Sequence, residues 1–182
     1  VVFASMEGTR PLLCEIQALT TSSPLPMPRR TAIGIDVNRL HLLIAVLDRH
    51  ADIGLSHCDV FINVVGGLKL IETASDLAVA AALISSERRT EIDAKAVFFG
   101  EIGLTGEIRG VPFVEHRLRE ATHLGFEKFF VPAANKRHLD RADKDLLKKI
   151  IWVRQISDLI SGLNIPPKKN RAPSRPVQEM DI

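Results

Sequence analysis

The sequence predicts an α+β or α/β sandwich, a sheet packed with helices, and three observations predict it. Runs rich in β-branched and apolar residues alternate with runs whose apolar positions recur at helical spacing, in the order strand, helix, strand, helix, hairpin, helix, strand, helix. The stretch Gly66 to Ser86 delivers a strand end through a Gly-Gly pair into a long alanine-rich helix, the junction around which the other elements are arranged. With 46% hydrophobic and 25% charged residues, the 182-residue chain has the balance of one well-buried soluble domain rather than of a disordered or fibrous protein.

Taken in order, Pro11 to Thr20 reads as a strand in which Glu15 and Gln17 alternate with Cys14, Ile16 and Ala18. Thr21 to Arg30 is a loop, because its three prolines forbid regular hydrogen bonding. Thr31 to Ile35 is a short strand. Asp36 is the expected N-cap of a helix that carries Leu40, Leu43, Ile44 and Leu47 and ends near His50. Cys58 to Val65 should be an interior strand. The helix after it is expected to open on a capping box formed by Thr73 and Asp76 and to bury Leu77, Val79, Ala80, Leu83 and Ile84.

Lys95 to Glu101 is the next strand, and Gly100, Gly103 and Gly106 punctuate a hairpin that ends at Arg109. Val114 to Leu124 should be helical and closed by Gly125. Lys128 to Val131 and Ile150 to Val153 are the last strands, with a brief helical piece at Pro132 to Lys136 between them and a terminal helix at Ile156 to Leu163. The tail to Ile182, proline-rich and basic at Lys168, Lys169, Arg171 and Arg175, is expected to be disordered.

The two cysteines, Cys14 and Cys58, sit in no metal-ligand spacing and read as buried free thiols. A formal net charge of +2 points to no partner by itself, so nucleic acid could be bound only by basic residues that the fold clusters. No apolar run is long enough to cross a membrane, and the first ten residues show no targeting pattern. The six histidines form no zinc motif, and Asp140, Asp143 and Asp145 lack the glycine and terminal glutamate of a calcium loop, so no metal site is expected. Thr73 and Ser75 put hydroxyls at the glycine-rich turn, but a serine nucleophile requires a base from elsewhere in the chain. The basic residues Arg29, Arg30, Arg39, Lys69, Arg109, Arg117 and Arg119 flank the loops and hairpin, and each alone reads as an ordinary surface charge.

The runs MEGTRPLLCEIQAL, RTAIGIDVNRLHLLIAVLDRHADI, DVFINVVGGLKLIETASDLAVAAALIS, VFFGEIGLTGEIRGVPFVEHRLREATHLGF and VPAAN resemble, in this order, the C-terminal Lon-peptidase-like domain of the bacterial-type RadA/Sms recombination family. The resemblance implies a Lon-type mixed sheet over residues 11–163, with residues 1–10 as the trailing end of a RecA-like ATPase domain and 164–182 as a tail. It implies that ATP, magnesium and zinc belong to preceding domains, since this chain has no phosphate loop and no CxxC pair. Laid on a Lon peptidase, the sequence has Ala74 where the nucleophilic serine stands and Glu115 where the lysine base stands, so no proteolysis is expected of the chain. The alternative, a peptidase using Ser75, requires a slip of one residue, about 100° of rotation on a helix.

The family's role implies a homo-oligomeric, six-fold ring that binds single-stranded or branched DNA during ATP-driven branch migration in homologous recombination, with a recombinase as a further partner. Arg30, Arg39, Lys69, Arg109 and Arg117 are the DNA-contact candidates. The compartment expected is the cytoplasm for a bacterial source and the mitochondrion or chloroplast for a plant one.

Overall fold

The structure is a computed structural model that describes residues 1–140 and 142–165. The chain opens with a hairpin. Strand β1 (Val2–Glu7) turns at Gly8, whose φ of 61° lies in the left-handed region, and returns antiparallel as the long β2 (Arg10–Ser22), with Glu7 opposite Arg10. The remaining strands of the main sheet are β3 (Arg30–Ile33), β4 (Cys58–Val64) and β5 (Ala96–Phe98). A separate two-stranded ribbon joins β6 (Glu101–Ile102) to β7 (Ile108–Arg109), and the main sheet is completed by β8 (Lys128–Pro132) and β9 (Ile150–Val153).

The seven strands lie in the order β3-β4-β2-β1-β5-β8-β9. β2 runs antiparallel to β1 and β4, and the other four pairings are parallel, so the sheet is mixed. Strand β1 is its middle member and its Phe3 and Ala4 are fully buried. Residues 1–10, expected to trail from another domain, therefore belong to the heart of this one. Parallel pairing of β1 with β5 cannot be seen in local sequence, because the two strands are some ninety residues apart.

Five helices cover the sheet among the described residues. Helix α1 (Val37–Ala51) starts at Asp36, whose carboxylate accepts the Arg39 backbone N–H at 2.9 Å, the cap that the sequence predicts. Helix α2 (Asp76–Arg88) is buried without interruption from Asp76 to Ile84, which is why it carries apolar residues on every side, and it packs along β2. Helix α3 (Val114–His123) packs on β1 and β2, and Gly125 follows it at φ 86°. The short α4 (Lys144–Lys148) was not anticipated; Asp143 caps it through the Asp145 backbone N–H at 2.9 Å. Helix α5 (Ile156–Gly162) packs against β9 and α1.

Two further local expectations are corrected. The capping box at α2 is not made: Thr73 belongs to a 3-10 turn, Thr73–Ser75, and its hydroxyl donates to Glu101 Oε2 at 2.6 Å, while Asp76 turns to an arginine. The strand expected over 95–101 is broken after Phe98. There Gly100 N–H donates to the Ala74 carbonyl at 2.8 Å and its own carbonyl accepts from Leu77 N–H at 3.0 Å, so the chain bonds to the start of α2 instead of continuing in the sheet. Both cysteines are buried free thiols. The tail expected to be disordered lies outside the described residues from 166 onward.

Candidate functional site

The glycine pair after β4 sets the site. Gly66 and Gly67 sit at φ 85° and 71°, conformations that turn the chain sharply back toward β3. Leu70 N–H then donates to the Gly34 carbonyl at 2.7 Å. Gly34 has φ 87°, and a Cβ there would lie 2.5 Å from Val64 Cβ and 2.6 Å from the Leu68 carbonyl oxygen, so only glycine allows this approach. The loop and the end of β3 thus form one wall of a cleft of about 580 Å³, with the first turns of α1 and α2 opposite.

At the base of the cleft Asp76 is 1% exposed and is gripped by Arg39, whose Nε donates to Oδ1 at 2.9 Å and whose Nη2 donates to Oδ2; the Ile102 N–H donates to Oδ2 at 3.0 Å. Burial raises the Asp76 carboxyl above its ordinary value, and the Arg39 and Ile102 hydrogen bonds offset this only in part. The hydrogen bond to Asp76 in turn holds the Arg39 guanidinium above its usual value. Arg39 also donates to the Ile102 carbonyl at 3.0 Å, tying α1 to the ribbon.

Ser75 lines this cleft, but its hydroxyl donates to the Glu72 carbonyl at 2.9 Å. Ala74 is buried beside it. Glu115 is exposed on the first turn of α3 and lines a different cavity, of about 320 Å³, with Phe113, His116 and His138.

The five DNA-contact candidates have different surroundings. Arg117 is fully buried: it donates to the Pro112 carbonyl at 3.2 Å, to the Ala4 carbonyl and to both Glu72 oxygens, at 3.2 and 2.6 Å, with Phe3 and Phe99 rings 5.7 and 5.9 Å from its guanidinium. A side chain so enclosed reaches no phosphate, and Arg117 is a core residue. Arg39 is 27% exposed and paired as above. Arg109 is 58% exposed but donates twice to Glu107, at 2.9 and 2.6 Å, with Glu101 at 3.6 Å. Arg30 clamps the carbonyls of Leu55, Ser56 and Cys58 that lead into β4. Lys69 is exposed at the cleft wall, with no side-chain partner among the described residues. The structure thus brings Arg39 and Lys69 to one cleft and scatters the other three.

Glu72 is the residue that sequence reasoning missed. Besides Arg117 it accepts the Ser5 hydroxyl at 3.0 Å and the Met6 N–H at 2.9 Å, joining β1, the cleft loop and α3. Arg117 did carry a signal. With Val114, Leu118 and Ala121 it occupies the buried stripe of α3.

Burial pushes both thiols, Cys14 and Cys58, up to about 11, with Glu72 and Glu87 respectively adding to the rise, so neither is a poised nucleophile. Among the described residues no group of three or more His, Cys, Asp or Glu side chains is placed to hold a metal ion, and no helix is long and apolar enough to cross a membrane.

Residues 43–135, half of the chain, match the family described as subunit ChlI of Mg-chelatase. Over 74–88% of its length the chain is similar to proteins named DNA repair protein RadA. It is 46% identical to that of Escherichia coli (strain K12) over 160 residues, which are 88% of this chain and 34% of the relative. It is 44% identical to that of Bacillus subtilis (strain 168) over 159 residues, 87% of this chain and 34% of the relative. With the Haemophilus influenzae protein the identity is 53% over 135 residues, 74% of this chain and 30% of the relative. The chain spans about a third of the length of the curated relatives it matches.

Proposed function

The chain belongs to the family described as subunit ChlI of Mg-chelatase, and from that membership and its kinship with DNA repair proteins we propose that it is the non-proteolytic, Lon-peptidase-like domain of a RadA/Sms-type protein. In this reading it forms a ring with copies of itself and presents a sequence-independent DNA-binding platform, while an ATPase domain on the same polypeptide drives branch migration in homologous recombination. The observation that carries the reading is the 46% identity across 88% of the chain to a protein named for DNA repair. Function is drawn from these relatives rather than from the chelatase in the family description, because they match more of the chain.

Two features of the turn that opens α2 support the absence of proteolysis. The Ser75 hydroxyl donates to a backbone carbonyl instead of to a base, and the position laid on the nucleophile, Ala74, offers a buried methyl group. A fluorophosphonate probe should therefore leave the chain unlabelled; labelling of Ser75 would replace this reading with a peptidase.

DNA binding is tested by the affinity of the chain for single-stranded DNA at two salt concentrations, together with its mass in solution. Affinity should fall steeply with salt, by a slope of about 0.7 per phosphate contact. Lys69→Ala should weaken binding alike for all sequences and lower that slope by about one contact. A mass of a single chain with no salt-dependent binding removes both parts of the proposal.

A further inference from the structure

Residues 128–154 hold eight of the chain's 24 lysines and arginines and three of its 22 aspartates and glutamates. They contain β8, α4 and β9, the end of the sheet farthest from β3, and β9 is the outermost strand. On that edge Trp152 is partly exposed and the Lys136 ammonium stands 5.3 Å from its ring centroid. Lys149 and Arg154, which bracket β9, and Arg137, beside Lys136, are exposed and form no ion pair within 4 Å among the described residues, although the Lys149 charge helps hold the Glu127 carboxyl down. Asp158, four residues after Arg154, accepts its backbone N–H at 2.8 Å.

An aromatic face framed by exposed cations outside close ion pairs suits a ligand that offers a flat π surface and a phosphate side by side. A single-stranded nucleic acid does this at every nucleotide, whereas a duplex keeps its base faces stacked inside. An acidic protein surface would use the cations but not the ring. We infer that the β9 edge is a single-strand contact, in which a base stacks on Trp152 in or beside the place now covered by the Lys136 side chain, and Lys136, Lys149 and Arg154 meet the flanking phosphates. The inference rests on the DNA-binding reading above and adds a contact surface at the end of the sheet away from Lys69.

Trp152 is the sole tryptophan and the chain has no tyrosine, so intrinsic emission reports on this ring alone. The test titrates the 182-residue chain with end-labelled oligodeoxythymidine at low salt, following the label's anisotropy and the Trp152 emission together. Both should change with one midpoint. Trp152→Leu, which keeps apolar bulk on the strand, should weaken binding about tenfold. Lys136→Ala and Lys149→Ala should each reduce the salt slope by about one phosphate contact. Binding seen by anisotropy with unchanged tryptophan emission and unaltered affinity in the lysine variants overturns the site and leaves the DNA reading standing. If the wild-type chain shows no anisotropy change at low salt, both fall. Should Trp152→Leu fail to fold by circular dichroism, the wild-type emission and the two lysine variants decide alone.

Discussion

Around the start of α2 three arginines stand against carboxylates: Arg39 on Asp76, Arg117 on Glu72 and Arg109 on Glu107. Along β8 and β9 the cations Lys136, Arg137, Lys149 and Arg154 have no such partner among the described residues, and one of them covers an aromatic ring. The residue types in the two regions are alike and their electrostatics are opposite. A guanidinium held in a two-pronged carboxylate grip has its charge cancelled nearby and its donors occupied, so little of its field reaches a phosphate. Removing such a group should change the stability of the fold, and removing an unpartnered one should change affinity. Variants in the two regions can therefore be told apart by which quantity moves.

The largest effect is expected at Arg117. Arg117→Ala leaves the Glu72 carboxylate without its cation and the Ala4 carbonyl without a donor beneath the Phe3 and Phe99 rings. Loss of one partner from a buried pair destabilises by about 3–5 kcal/mol. Urea denaturation followed by circular dichroism should show the unfolding free energy fall by that amount, with the midpoint lowered accordingly. A loss below about 1 kcal/mol, a value usual for exposed pairs, would mean that the pair is not what fixes α3 to β1. Asp76→Ala comes next. It leaves Arg39, about a quarter exposed, unpaired where water can solvate it only in part, and deprives the Ile102 N–H of its acceptor. A loss of about 2–3 kcal/mol is expected, with no weakening of single-strand affinity, since the change frees a cation in the cleft.

Much of the fold was legible because its signals are local. The Asp36 cap, the β-branched run of β4, the all-round apolar α2 and the four residues of β9 each follow from a few neighbouring side chains. What was not legible depends on partners far along the chain. β1 becomes the central strand only by pairing with β5, although the Glu7–Gly8–Thr9–Arg10 turn was a readable hairpin signature. The same distance hid the candidate site. Glu72 meets Ser5, Met6 and Arg117, which lie 67, 66 and 45 residues away, so nothing near it marked it as a junction. Arg39 and Arg117 were readable as basic, but the acids that neutralise them, 37 and 45 residues away, were not readable as their partners. Helical register could have separated Arg117 from the others, since it falls on the stripe of Val114, Leu118 and Ala121.

The smallest expected effect sharpens the comparison most, because the Glu107–Arg109 pair is exposed and can be opened without touching the core. Glu107 accepts the Thr105 hydroxyl, the Thr105 N–H at 3.2 Å and two donors of Arg109, and these hold its carboxyl down at about 2, the Thr105 hydroxyl contributing most. A carboxyl whose folded value is depressed stabilises the fold above its unfolded value of 4.5, and that contribution is lost as pH falls from there toward 2. Glu107→Gln should flatten the stability profile across that window, by a margin that salt shrinks further. Gly103→Ala should act in the same direction, because a Cβ at Gly103 would sit 1.9 Å from Glu107 Oε1 and push the carboxylate out of place. At neutral pH Glu107→Gln also strips Arg109 of its closest counter-charge, turning a cation of the paired kind toward the unpaired kind. If counter-charge is what separates the two regions, single-strand binding by this variant should acquire a slightly steeper salt dependence, while Arg109→Ala in the native background leaves it almost unchanged; equal slopes in both would show that the carboxylate was not what kept Arg109 from the phosphates.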